Sequence, residues 1–139
     1  MNLELEIKHQ VYTFRFGMGF LVDINETYTR DIPGAKQADK IGLHYQIAGL
    51  IDRNPISLQR VLYTACINEP KLTMAEIGAY IEEVDDIEGL FQKVLDFLSE
   101  SNCTSHLTKK MLKAVQEQEE EEKKRKEALE KIMDGVKTE

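Results

Sequence analysis

"TFRFGMGFLVDI", residues 13 to 24, decides how this chain begins to fold. Phe14 and Phe16 alternate with Thr13 and Arg15, which is the period of a half-buried strand. Phe20, Leu21 and Ile24 then fall at helical spacing. Gly17-Met18-Gly19 stands between the two patterns. A strand, a glycine turn and a helix also open a dinucleotide-binding unit, where the helix N-terminus receives a phosphate. That fingerprint needs a third glycine, and here its place is taken by Val22. It also needs a parallel βαβ unit, whereas the strand before Gly17 reads as antiparallel to its neighbour and no strand is expected after the helix. The glycines are therefore expected to permit a sharp strand-to-helix joint rather than to cradle a phosphate.

Upstream, Leu3, Leu5 and Ile7 alternate with polar residues. After a break at Lys8-His9-Gln10, Tyr12, Phe14 and Phe16 alternate again, so the two runs read as a β-hairpin. A lone two-stranded hairpin is marginal in water and needs a cover. The expected cover is the helix carrying Phe20, Leu21, Ile24 and Tyr28. Downstream, "RDIPGAKQADK" breaks the pattern, with Pro33 and Gly34 as turn residues. A second helix is expected through Leu43, Ile47, Leu50 and Ile51, stopped by "DRNP". A third follows through Leu58, Val61, Leu62 and Ala65, ended at Asn68 to Pro70. Thr73 and Glu76 form a capping box for a short helix through Ile77, Tyr80 and Ile81, in which Gly78 costs some stability. Ile87, Leu90, Phe91, Val94, Leu95 and Leu98 make the clearest apolar stripe, read as the central helix with Asp85 and Glu88 at its cap.

Beyond Leu107 the stripe persists through Met111, Leu112 and Val115, and then no apolar residue other than alanine occurs until Leu129. Glu119–Lys123, Glu120–Lys124, Glu121–Arg125 and Glu122–Lys126 are spaced i, i+4 in the favourable order, each pair contributing about 0.2–0.5 kcal/mol to an isolated helix. Leu129, Ile132, Met133 and Val136 return for only about two turns, short of the roughly three heptads of a coiled coil. The expected organisation is a globular domain over residues 1–115 and a charged, solvated helical tail over 116–139. The fold class is α+β, mostly α: an N-terminal hairpin packed on a helical body, with a charged C-terminal helix.

Composition narrows the function classes. A chain of 139 residues with 42% hydrophobic and 31% charged residues fits one domain with a polar appendage. A formal net charge of −7 argues against binding nucleic acid, since the basic residues do not form a recognition helix. Two cysteines are too few for a disulfide framework, and neither a signal peptide nor a membrane-spanning run is visible, so a cytoplasmic setting is expected. Cys103 and His106 have the spacing of half a zinc site, but Cys66, His9 and His44 supply no second pair. The acidic group Glu82, Glu83, Asp85, Asp86 and Glu88 lacks the spaced order of a calcium loop and reads as helix capping. No catalytic, cofactor-binding or metal-binding residue is expected, and no cofactor. The Glu/Lys run reads as a solvated face, with a partner-binding arm as its functional alternative.

"VYTFRFGMGFLVDIN", followed by "IEEVDDIEGLFQKVLDFLSES" and a charged C-terminal tail, resembles the tail assembly chaperones of long-tailed phages, particularly those of Gram-positive hosts. The resemblance covers most of residues 1 to 115 and rests on the aromatic hairpin, the glycine joint and the helix order. Its fold-defining residues here are Phe14, Phe16, Gly17, Gly19, Phe20, Leu90, Phe91, Val94 and Leu98. It implies a non-enzymatic protein of the host cytoplasm, absent from the mature virion, that binds the tape measure protein and helps tail-tube protein assemble around it. It further implies homo-oligomers, no nucleic-acid or membrane partner, and a longer form made by ribosomal frameshifting, for which the codons of Glu122-Lys123-Lys124 can supply a slip site. The alternatives are a small helical regulatory protein and a virion structural interaction protein. A small enzyme would need convergent polar groups, and a transcription regulator a basic recognition helix.

Overall fold

The computed structural model describes residues 2–31, 33, 34, 36 and 39–137, without the side chains of 136 and 137. The hairpin forms as expected: β1 (Leu3–Ile7) and β2 (Gln10–Phe14) pair antiparallel, with Leu3 opposite Phe14 and Ile7 opposite Gln10. Lys8 and His9 make its turn with φ of 54° and 63°. Both are in the left-handed region, whose twist matches that of the flanking strands. Leu3, Leu5 and Ile7 face the core while Glu4 and Glu6 face water.

The hairpin has a second support that its own sequence does not announce. The segment after the third helix runs along the free edge of β2. Arg15 N donates to Ala65 O at 2.8 Å, Ile67 N donates to Thr13 O at 3.0 Å, and Thr13 N donates to Asn68 Oδ1 at 2.8 Å. Phe14 and Cys66 form an antiparallel bridge there. Backbone groups of β2 that would face water or be buried unpaired are thereby satisfied.

Six helices follow the hairpin among the described residues. Phe20 and Ile24, four apart, are the buried residues of α1 (Met18–Asn25). The helix ends at Asn25, where Thr27 Oγ1 donates to Ile24 O at 2.6 Å, so the expected extension to Tyr28 does not occur. Tyr28 instead stacks on Tyr45, with ring centroids 4.1 Å apart and planes 6° from parallel. A short ribbon comes next, β3 (Thr29–Arg30) antiparallel to β4 (Asp39–Lys40), around Pro33 and Gly34. The other residues of that loop, 32, 35, 37 and 38, lie outside the described set. A strand therefore does follow α1, contrary to the sequence-based expectation, but it belongs to a separate antiparallel sheet and makes no parallel βαβ unit.

The hub of the body is α2 (Gly42–Ile51), which packs against α1, α3, α5 and α6. A Cβ on Gly42 would stand 1.8 Å from Ile24 O, so only glycine allows the α1 and α2 backbones to approach this closely. Asn25 Oδ1 accepts from Leu43 N at 2.9 Å at this junction, and buried Gln46 donates from Nε2 to Thr27 Oγ1 at 3.2 Å. Asn54 caps α3 (Pro55–Ala65), with Pro55 in its first turn. The capping box of α4 (Met74–Glu83) is present in both directions, Glu76 N to Thr73 Oγ1 and Thr73 N to Glu76 Oε1, each 3.1 Å.

Leu90, Phe91, Val94, Leu95 and Leu98 of α5 (Ile87–Glu100) are buried. Two details differ from the sequence reading. The cap is Asp86, whose Oδ1 accepts from Gly89 N at 2.9 Å, one residue later than the expected Asp85. The centre is α2 rather than α5, which packs on α2 and α6. A long stripe reports how much of a helix is buried, not how many neighbours bury it.

At 33 residues, α6 (Ser105–Lys137) is about 50 Å long. Buried Thr104 and Thr108 anchor its start through hydrogen bonds to Leu98 O at 2.6 Å and Thr104 O at 2.8 Å. Leu107 and Met111 pack on the core. The helix runs unbroken through residues 115 and 116, and residues 116 to 135 are exposed. Among the described residues, the ion pairs are Lys8–Glu76, Arg30–Asp39, Lys40–Glu26 and Arg53–Glu88. None of the four expected i, i+4 pairs of α6 closes. Long exposed side chains gain too little Coulomb energy in water to offset the rotamer entropy of holding one geometry.

Candidate partner-binding surface

The strand-to-helix joint forms, but not for the expected reason. Gly17 has φ −101° and ψ −160°, an extended conformation open to any residue, and Gly19 lies inside α1 with nothing near its absent Cβ. Packing shapes the joint instead. Phe16 meets Phe20 edge to face with centroids 5.2 Å apart, Phe97 lies 6.2 Å from Phe16, and Ser101 Oγ donates to Phe16 O. Phe14, Phe16, Phe20, Leu90, Phe91, Val94 and Leu98 all lie in one buried core cluster. Gly17 and Gly19 sit at its edge, where they border an open groove.

That groove, about 410 Å³, runs between the first turn of α1 and the extended segment after α3. Met18, Phe20, Ala65 and Ile67 contribute its apolar lining, and Arg15, Asp23 and Lys71 its charged border. Lys71 Nζ lies 4.3 Å from the centre of the Tyr63 ring, a cation–π contact that ties this cation to the body. Large apolar side chains remain in water here: Met18 is 63% exposed, Val22 55% and Ile67 52%. Met18 and Val22, four apart, share one face of α1. A flexible methionine beside branched side chains suits irregular apolar partners. The groove thus combines an apolar floor with charges of both signs, Arg15 and Lys71 opposite in sign to Asp23.

A second cleft, about 350 Å³, lies between the hairpin and α4, lined by Ile7, Ala79, Tyr80 and Val84. The Lys8–Glu76 ion pair, 3.2 Å long, stands at its rim. The Thr73 N–H, followed by the Lys8 ammonium, holds the Glu76 carboxyl below its ordinary value of 4.5. Burial raises the Tyr80 hydroxyl above its ordinary value.

The histidines and cysteines do not converge among the described residues. His9, His44 and His106 are exposed on the hairpin turn, α2 and α6, while Cys66 is buried and Cys103 half-buried. Among the described residues, no group of three or more His, Cys, Asp or Glu side chains could hold a metal ion. The acidic stretch before α5 is used in folding: Asp86 caps the helix, and Glu88 Oε1 accepts from Arg53 Nε at 2.8 Å. Among the described residues, no helix is long and apolar enough to cross a membrane.

Phe14, Phe16, Phe20 and Phe91 lie in the interior as the sequence predicts, whereas Tyr28 does not, and Ile67 went unnoticed as a surface element. Its only signal was an extended trio, Cys66 to Asn68, too short to separate from a loop. The groove exists because that trio pairs with β2, a contact more than 50 residues apart in the chain.

Family comparison agrees with the architecture. The family model described as phage tail assembly chaperone protein matches residues 4–114, from the first strand to the part of α6 that leaves the body. No curated protein and no solved structure matches this chain. With the hairpin, the helical body and most of the chain inside one family match, the protein belongs to the phage tail assembly chaperones.

Proposed function

We propose that this protein is a non-enzymatic chaperone of the host cytoplasm that binds the tape measure protein, keeps its apolar helices soluble while tail-tube protein assembles, and is absent from the finished virion. The body, residues 1–115, carries this activity, and residues 116–139 are not needed for it. The observation that carries the reading is the groove beside α1, where Met18 and Ile67 keep apolar surface in water and exposed Val22 lies one turn further along α1. An amphipathic helix can cover such a surface with its apolar face, while Arg15 and Lys71 suit acidic residues on the helix flank and Asp23 a basic one. Leaving Met18 and Ile67 exposed contributes nothing to folding, and their place along one groove supports a docking role.

Co-expression with the tape measure protein of the same phage tests this. The wild-type chain is expected to keep that protein soluble and co-purify with it. The double variant Met18→Glu, Ile67→Glu should fold normally and lose most of the co-purification. Tape measure protein that stays insoluble with the wild type, or binding indifferent to the double variant, overturns the reading. Finding the chain in purified virions would favour a structural role instead.

A further inference from the structure

The distal part of α6 presents a surface that the proposed function leaves unused. Leu129, Ile132 and Met133 are 58%, 65% and 59% exposed. Leu129 lies five full helical turns beyond Met111, so it occupies the face by which α6 packs on the core. The apolar face thus continues after the body has ended. Along it, Val115, Gln118, Glu122, Arg125, Leu129 and Ile132 alternate in steps of three and four, the spacing of a coiled-coil seam.

We propose that α6 pairs antiparallel with α6 of a second copy of this chain, in the register that sets Glu122 beside the partner's Arg125. In that register Val115 faces the partner's Ile132, and Gln118 faces the partner's Leu129. Along one flank, Leu112 meets the partner's Met133 and Glu119 meets the partner's Lys126. Two-fold symmetry repeats every contact, so one surface serves both copies. Val115 and Ile132 meet each other, as do Leu112 and Met133, Leu129 packs on the aliphatic part of Gln118, and each acidic residue named meets a basic one. The seam is too polar at its middle to pair by apolar burial alone, which is why the short return of apolar residues reads as insufficient in a single chain. Antiparallel pairing brings the exposed apolar tip of one arm to the apolar base of the other.

The charge pattern selects both the occupant and its direction. Glu119 to Glu122 are followed at once by Lys123 to Lys126, with Arg125 among them. A parallel pair would set like charges against each other, whereas the antiparallel pair sets each block against its opposite. Among the described residues, Glu119, Glu122, Arg125 and Lys126 close no ion pair within their own chain, which leaves them available to a second one.

Sedimentation of the full chain over a wide concentration range tests the proposal. A concentration-dependent dimer is expected, and Leu129→Glu with Ile132→Glu, at exposed positions that leave the body intact, should abolish it. Reversing the acidic set (Glu119→Lys, Glu122→Arg) or the basic set (Arg125→Glu, Lys126→Glu) should each weaken self-association by about tenfold or more. Mixing the two reversed variants should restore pairing, because every named contact becomes opposite in charge again. Circular dichroism checks that each variant remains helical. A full chain that is monomeric at every concentration overturns the proposal. So does a dimer indifferent to the Leu129 and Ile132 changes, or a mixture that does not pair. Tape measure binding is not read in this experiment, so its outcome is independent of the proposed function.

Discussion

The helices α5 and α6 lie against each other, yet they are held by different physics. Five large side chains of α5 are buried within fourteen residues, and an aspartate caps its start. The helix α6 is more than twice as long, packs on the core near its beginning, and from 116 to 135 has every side chain in water. Tertiary packing makes the first stable. The second persists on the helix propensity of its Glu, Lys, Gln and Ala residues, which is small per residue and adds over length. Helical content by itself therefore says little about where this protein stores its stability.

The sharpest way to break that comparison is a truncation in each helix. Leu98→Ala, at a fully buried position of α5, is expected to cost about 2–5 kcal/mol in denaturant unfolding. Leu129→Ala, measured at a concentration where the chain is monomeric, should change stability by no more than about 0.5 kcal/mol. Equal effects at the two sites would mean that the arm is part of the core.

A smaller effect sharpens the account of α5. Asp86→Ala removes the oxygen that accepts from Gly89 N and should cost about 0.5–2 kcal/mol, whereas Asp85→Ala should fall within about 0.5 kcal/mol of wild type. The reverse ranking would restore the cap to Asp85.

The smallest expected effect is the acid response of the body. Glu76 titrates below its ordinary 4.5 because it accepts from Thr73 N and from Lys8. A group whose folded value is lowered contributes stability that is present above the unfolded value and is lost as pH falls through the folded one. Unfolding midpoints should therefore drop as pH falls below about 4.5, and Glu76→Gln should flatten part of that slope while its amide keeps the cap. An unchanged slope would show that half-buried Glu76 adds nothing measurable. Glu26, lowered by its hydrogen bond and Coulomb attraction to Lys40, should behave in the same sense.

Where apolar periodicity and capping carry the information, the sequence was legible. The 2-residue period of Leu3, Leu5 and Ile7, the capping box of Thr73 and Glu76, and the stripe from Leu90 to Leu98 each describe neighbours within one element. The physics of strands, caps and helix faces is local in that sense. Two misreadings were local, the cap of α5 at Asp86 and the open i, i+4 pairs of α6, and the rest involved contacts between elements. Tyr28 left its expected helix because Thr27 closes α1 and the Tyr45 ring is there to stack on. The glycine joint formed without needing glycine conformations, whereas Gly42, which drew no comment in the sequence, is the position where two backbones meet. The candidate groove was not legible, because it needs α1 and the segment after α3 side by side.

The sequence by itself determined the α+β class, the order of the main helices, the aromatic interior and the polar face of the arm. All of these follow from periodicities of two and 3.6 and from the cost of burying charge. Only the tertiary structure decided that α2 is the hub, that Cys66 to Asn68 extends the hairpin, and that Met18, Val22 and Ile67 remain in water. Each of those depends on which apolar faces find one another across the chain. A pattern along one helix states that a face must be covered, and only the packed molecule states by what.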